Sequence, residues 1–352
     1  MSPPGRPKGE YRSAQRDGTP VSRAALIGVT HWHVPLMLRG FAPAGIDIAA
    51  VWDPDPARAR ALAAAHGATA FTDLDALLDS GGLDCAFVSG PPRDMPGIAR
   101  AVLARRLPLS LEKPCACTTD EVTALRAQAR AAGVPVAVPL VQRYAELGRQ
   151  LMELARDGPP LEIAVRFIAG PPARYDRWGN SWMLDPTRSG GGAAINLAVH
   201  FVDLAILLTG GPVVEVSGLT SAAQHNRAVE DLAVLTLLHG NGAVTNVTVG
   251  YRFPDAAPFR EFRLTMSGQR TYVETEAGGL VVRDMNGGER RVPVSFDTDA
   301  YYADYVGRFV EDLWQGRLPE AGLAEMARAL AVIEAGYRSA REGRRIKIDV
   351  ST

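Results

Sequence analysis

Lysine is nearly absent from this chain. Only three of its 38 basic residues are lysines, Lys8, Lys113 and Lys347, and the rest are arginines. Lys8 and Lys347 lie near the termini, so Lys113 is the one lysine of the body. Arginine cannot replace a compact ammonium whose pKa shifts readily on burial, so a retained lysine marks a place to look for chemistry. Cysteine is almost as scarce. Cys85, Cys115 and Cys117 are too few for a disulfide framework, and no Cys/His cluster has the spacing of structural zinc. The Cys115-Ala-Cys117 pair lacks the two-residue gap of a redox motif. Reduced, structural thiols are expected.

Charge of one sign is missing too. The 38 basic and 39 acidic residues leave a formal charge of −1, so there is no global electrostatic footprint for nucleic acid or an anionic membrane. No apolar run approaches the roughly 18 residues a membrane helix needs. The polar stretch 1–21 has no apolar signal core or twin arginine and is expected to be a disordered tail. These absences, with the cysteine usage, favour a cytoplasmic protein. What remains is ordinary globular material, 47% apolar and 22% charged over 352 residues, enough for two domains.

From Ser22 to Arg143 short apolar runs alternate with helical patterns. Strands are predicted at Ala24–Val29, Ile48–Trp52, Leu83–Ser89, Pro108–Leu111 and Val134–Pro139. Helices are predicted at Pro56–His66, Met95–Arg106 and Asp120–Ala132, the last opened by the capping-box spacing Thr118 to Glu121 and stopped by Gly133. That grammar gives βαβ units and a Rossmann-type, doubly wound parallel sheet over 22–143. Over 144–352 it changes. After a helix at Arg149–Arg156 come strands at Glu162–Ile168, Val213–Leu219, Asp231–Leu238, Ala243–Tyr251, Phe259–Met266, Thr271–Glu276 and Leu280–Arg283, with Asn-Gly turns among them. Helices at Tyr301–Trp314 and Pro319–Arg341 close the chain. The class is α/β, with a second α+β domain built on a mostly antiparallel, open-faced sheet. An apolar open face needs covering, so a homodimer or homotetramer is expected.

Three constellations carry chemistry. The first strand runs into Gly28-Val29-Thr30-His31-Trp32-His33, where a dinucleotide fold places G-x-G-x-x-G, and only the first glycine is present. Asp53 closes the second strand, where a carboxylate can accept from a ribose hydroxyl. His31 and His33 have no third metal ligand nearby in sequence, so no metal is expected. Glu112-Lys113-Pro114 follows a strand at the carboxyl edge of the sheet, where open α/β folds bind ligands. The third is Ala193–Leu208, sixteen residues of which thirteen are apolar, after Ser189 and the glycines 190–192. Its polar residues, Asn196, His200 and Asp203, fall within about 60° of one another on a helix, so the stripe must face partners, water or a ligand. Three glycines at its start would let a ligand approach the backbone.

These motifs resemble the glucose–fructose oxidoreductase/inositol dehydrogenase (Gfo/Idh/MocA) family. The resemblance covers Ala24 to Ile348 and rests on Leu111–Pro114 and the stretch Trp182–Asp203, supported by Val229-Glu230-Asp231 and the ending at Gly343. It implies a nicotinamide-dependent oxidoreductase acting on a carbinol carbon of a sugar, cyclitol or related polyol. It further implies Lys113 and His200 as catalytic groups, a cis bond before Pro114, and a substrate held by Trp182, Asn196 and His200. The cofactor would lie along Gly28, Thr30, His31, Asp53, Ser89, Gly90, Pro91, Glu112 and Lys113. The family often has aspartate where this chain has Asn196, and histidine where it has Met95. Asp53 disfavours a 2′-phosphate by charge, so NAD is expected over NADP. Two other readings use the same fold: a non-catalytic nucleotide or sugar sensor, and an NAD-using elimination.

Overall fold

In a computed structural model the described residues are 14–16, 19–156, 158–255 and 260–349. Six parallel strands form the first sheet, in the spatial order Thr69–Phe71, Ile46–Trp52, Thr19–Ile27, Cys85–Val88, Leu109–Leu111, Val136–Ala137. Numbered along the chain this is 3-2-1-4-5-6, a doubly wound sheet whose order reverses between Thr19–Ile27 and Cys85–Val88. The local signals act where the sequence puts them. The Thr118 side chain accepts from Glu121 N while the Glu121 carboxylate accepts from Thr118 N, and Gly133 ends that helix at φ 68°. Asp55 caps Pro56–His66, and Gly67 closes it in the left-handed region.

Two expectations about the first hundred residues change. Part of the stretch expected to be a disordered tail is a strand: Ala14–Arg16 pairs antiparallel with Thr19–Val21. The sequence between them, Asp17-Gly18, is a strong hairpin signal that polar composition masks. Residues 1–13 and 17–18 lie outside the described residues. Short elements at Val34–Phe41, Thr69–Phe71 and Leu74–Leu78 were not predicted.

The second sheet has nine strands, in the order Glu289–Pro293, Gly279–Asp284, Thr271–Glu276, Arg260–Ser267, Glu162–Ala169, Val244–Gly250, Leu232–His239, Val213–Ser221, Ile346–Lys347. Every neighbouring pair is antiparallel except Glu162–Ala169 with Val244–Gly250, which is parallel. One face packs on Val199–Thr209 and Leu323–Glu342; the other shows alternating exposure along Leu232–His239. Leu219, 71% exposed, points to solvent.

The chain returns to its first sheet near its end. Helix Tyr301–Trp314 packs on Val34–Phe41 so closely that a Cβ on Gly40 would sit 2.9 Å from the Ala303 carbonyl oxygen. Phe309 meets Phe87 edge-on, and the Tyr305 hydroxyl is 2.7 Å from Ser110 Oγ. By packing, this helix joins the first sheet rather than the second unit to which its position in the sequence assigns it. The stretch Pro186–Thr209 is apolar enough by composition to cross a membrane, contrary to the reading of the sequence, but 78% of its most apolar 18-residue window is buried as core.

Candidate active site

The helix after the glycines begins differently from expectation. Ala194–Ala198 is a π-turn, and regular α-helix starts at Val199. Single π-turns inside helices are frequent at functional sites because they re-aim side chains. The glycines at 190–192 do not admit a ligand; they admit the protein itself. A Cβ on Gly191 would lie 2.2 Å from the Tyr337 hydroxyl, and one on Gly192 2.2 Å from the Glu230 carbonyl oxygen. Glu230 occupies the place an anion would take: its carboxylate accepts from Gly192 N and Ala194 N, both at 2.9 Å, and from Tyr337 OH at 2.7 Å.

The polar stripe divides into two parts. Asp203 is structural, bound bidentately to Arg143 at 2.6 and 2.7 Å in a buried pair. Removing one partner of such a pair costs about 3–5 kcal/mol. Asn196 and His200 instead face a cavity of about 720 Å³, which Lys113 of the first unit also lines. Lys113 Nζ donates to Asn196 O at 2.9 Å and to Asn196 Oδ1 at 2.8 Å. The Asn196 amide donates to the hydroxyls of Tyr175 and Tyr251, both at 2.9 Å. With three side-chain bonds and one through its main-chain carbonyl, Asn196 holds Lys113 in place without adding charge. The Lys113–Pro114 bond is cis.

Burial sets the electrostatics. Lys113 is lowered to about 8 by desolvation, against which the Glu112 carboxylate pulls upward. His200 lies well below the ordinary imidazole range because of burial, then Lys113, then His33. It is therefore neutral near pH 7, the form that can take a proton. Among the described residues, its Nδ1 and the Oε1 of Gln142 are buried without a hydrogen-bond partner, and both residues line the cavity. Such atoms are costly unless a ligand or water meets them.

The loop after the first strand is closed upon itself. Gly28, at φ 81°, is obligatory, since a Cβ there would fall 1.7 Å from the Ser89 carbonyl oxygen. Asp53 differs from expectation. Its carboxylate, 3% exposed, accepts from Val29 N at 2.7 Å, Thr30 N at 3.1 Å, Thr30 Oγ1 at 2.9 Å and Asp55 N at 2.9 Å. Thr30 in the glycine position thus gives the aspartate a side-chain donor, and the pair stiffens the loop instead of leaving the carboxylate out for a ribose. Glu112 also points inward. Its Oε1 lies 3.1 Å from His33 Nδ1 and accepts from Lys113 N at 3.0 Å, so it braces the loop from beneath. Glu112 is moreover the third member the sequence did not offer to His31 and His33: the three place ligand atoms within 4.8 Å of one another, a donor set that could hold a metal ion. Here His31 Nδ1 accepts from His33 N, and Tyr302 OH lies 2.8 Å from His33 Nδ1.

Trp182 does not line the cavity as expected. It lies 5.7 Å from the His31 ring and 5.6 Å from Trp32, and its Nε1 donates to Asn180 Oδ1. The Asn180 amide in turn donates to Thr30 O at 3.2 Å. A segment of the second unit is thereby fastened across the loop of the first. Ser89, Gly90 and Pro91 end the strand beyond the switch point, the last two half-buried at the carboxyl edge. Of the residues expected to hold a cofactor, Thr30, His31 and Lys113 line the cavity, whereas Gly28, Asp53, Ser89, Gly90, Pro91 and Glu112 do not. Arg174, Tyr175, Arg260 and Tyr302, which line the cavity, and Tyr251, which braces Asn196 behind it, were missed in the sequence, because they come from four separate stretches and none stands in a motif.

Comparison with known proteins agrees with this architecture. Residues 23–140 match the profile of an oxidoreductase family with an NAD-binding Rossmann fold, and residues 148–281 match the GFO/IDH/MocA C-terminal domain. A D-apiose dehydrogenase from Rhizobium rhizogenes is 24% identical over 93% of this chain and 97% of its own length. A D-xylose 1-dehydrogenase (NADP(+)) from Haloferax volcanii is 25% identical over 86% and 92%. An oxidoreductase from Agrobacterium radiobacter, solved with NAD+, L-tartaric acid and magnesium, superposes with a TM-score of 0.82 at 22% identity, covering 93% of this chain and 98% of that one. With a matched profile on each side of the cavity, the chain belongs to the Gfo/Idh/MocA family of NAD-binding oxidoreductases.

Proposed function

We propose that the protein transfers a hydride between NAD and a carbinol or carbonyl carbon of a sugar, cyclitol or related polyol, with His200 as the proton-transfer group and Lys113 as the electrostatic one. The observation that carries this reading is convergence: an ammonium from the first unit and an imidazole from the second face one cavity, one helical turn apart through Asn196. Bound nicotinamide supplies the acceptor or donor of the hydride. The Val29–His33 loop, Ser89–Pro91 and Lys113 would hold it. The dehydrogenase relatives support the substrate class.

His200, neutral in its buried setting, accepts the hydroxyl proton in oxidation and returns it in reduction. Lys113 spends two N–H groups on Asn196 and has a third for the substrate oxygen, where it stabilises developing negative charge. Asp53, although turned toward the loop, places a carboxylate at the end of the second strand, where it disfavours a 2′-phosphate and so favours NAD over NADP. Arg58, a cation nearby in sequence, pairs with Asp55 at 3.3 Å. Free cysteines and the half-exposed outer face of the second sheet fit a cytoplasmic homo-oligomer.

Replacing His200 with alanine is expected to lower kcat by about 10²–10⁴ while NAD binding survives. Lys113→Ala is expected to damage both substrate binding and rate. Steady-state kinetics on a panel of sugars and cyclitols, with NAD affinity measured separately, checks both; unchanged turnover in the two variants would end the mechanism.

A further inference from the structure

Resting on that reading, the cavity also says something about what the substrate carries. Four cations and two carboxylates stand on its wall. Arg177 pairs with Asp255 and Arg260 with Asp299, each at 2.9 Å, so these four cancel. Lys113 and Arg174 are left. Lys113 belongs to the reacting end, and its charge is weakened by burial. Arg174, a guanidinium, has no carboxylate partner among the described residues.

The Arg174 guanidinium is fixed rather than loose. Nη1 donates to the carbonyls of Gly170 and Pro171, and Nη2 donates to Tyr175 OH at 3.0 Å. The group lies 4.6 Å from the centre of the Tyr175 ring and 5.2 Å from that of Tyr251. Of its five N–H donors three are used. The two that remain are on Nε and Nη2, neighbouring nitrogens whose spacing matches two oxygens of a carboxylate or phosphate. Tyr175 OH, which holds Nη2, also accepts from Asn196, and Asn196 Oδ1 accepts from Lys113. The free edge of the arginine is thus tied by three hydrogen bonds to the ammonium at the reacting centre.

We infer that Arg174 is a specificity-determining residue, and that the substrate is an anionic polyol whose carboxylate or phosphate takes this edge while its carbinol carbon lies beside His200 and Lys113. A neutral sugar would leave a fixed charge facing the cavity with two donors unmet, which costs affinity. An anion gains two parallel charge-assisted bonds, and being held at both ends it is oriented as well as bound.

The test uses holoenzyme loaded with NADH for binding, or NAD for turnover, and trios on hexose, pentose and cyclitol scaffolds: the neutral compound, its carboxylic acid and its monophosphate. Calorimetry gives Kd and initial rates give kcat/KM for wild type, Arg174→Gln and Arg174→Lys. The expected result is an acid or phosphate as best ligand, weakened about 10- to 150-fold in Arg174→Gln with most of the change in KM. Arg174→Lys, with charge but no fork, should recover only part. In Arg174→Gln the neutral member, relieved of an unmatched charge, should hold or gain affinity, and a thermal transition with NADH bound at the wild-type temperature shows that the variant is folded. Which anionic arm binds separates a sugar acid from a sugar phosphate. A neutral compound as best ligand, equal losses for neutral and anionic members, or no anionic member binding at millimolar concentration overturns the inference. Arg174-dependent anion binding without any change in NADH would uphold it and sink the hydride-transfer reading instead; turnover of neutral members alone would do the reverse.

Discussion

Asn196 gives its side-chain oxygen to Lys113 and its amide to two tyrosines, so the residue nearest the ammonium is neutral. A carboxylate in that position would stabilise the protonated lysine by a charge contact at hydrogen-bond distance, and would do the same for His200 one turn on. With asparagine, desolvation prevails and the ammonium loses its proton near pH 8. The sign for activity follows: the cation that stabilises the developing alkoxide is present below about 8 and lost above it. Asn196→Asp is expected to move the alkaline limb of the kcat/KM profile upward by a unit or more, and the acid limb, set by His200, upward as well. A pH–rate profile on the preferred polyol shows this directly; limbs that stay in place would mean that neither group is titrating in the reaction. At this scale much was legible. The isolation of Lys113 and the stripe of Asn196 and His200 can be read from residue type and spacing. The inward turn of Asp53 cannot, since it depends on Thr30 supplying a hydroxyl from another element.

Among the elements, those with strong local signals keep their predicted bounds. Pro56–His66, Thr271–Glu276 and Tyr301–Trp314 are found as read, and Thr119–Ala132 differs by one residue. Edge strands such as Glu289–Pro293 and Ile346–Lys347 escape notice because a partner strand, not their own pattern, makes them. The glycines at 190–192 are the instructive error. Sequence shows that the backbone there must be bare, but only packing shows that it is bare for Glu230 and Tyr337. Gly192→Ala must displace the Glu230 backbone or break the cap that starts the π-turn. It is expected to destabilise the fold by about 1–3 kcal/mol, the usual cost of overpacking. Because Asn196 sits within that turn, activity should fall more than stability explains. Urea denaturation paired with kcat/KM at a temperature where the variant is fully folded separates the two effects; wild-type values in both would show that the turn tolerates a side chain.

Over the molecule as a whole, the composition reads two domains, and two sheets are present. The covalent order nevertheless misleads about how they cohere. Tyr301–Trp314 packs on the first sheet, and Trp314 Nε1 donates to Ser22 Oγ across nearly the full length of the chain. Leu323–Glu342 lies between Thr119–Ala132 of the first unit and Val213–Ser221 of the second. Neither unit completes its core from one continuous piece of sequence. Thermal unfolding is therefore expected as a single transition with calorimetric and van't Hoff enthalpies in agreement, rather than two. Two resolved peaks in scanning calorimetry would show that the shared helices bind the units only loosely. Such long-range closure was not readable in the sequence, because helical periodicity tells which face is apolar and says nothing about which sheet receives it.

The fastening of Trp182 over the first loop makes the protein its own optical probe. Of five tryptophans, Trp32 lies on that loop with Trp182 5.6 Å from it, Trp178 lines the cavity and Trp52 directly precedes Asp53. Indole emission overlaps the absorption band of reduced nicotinamide, so coenzyme arriving at this edge should quench the native fluorescence by resonance transfer. Loading, exchange and redox state of the coenzyme then become visible in real time, without a label.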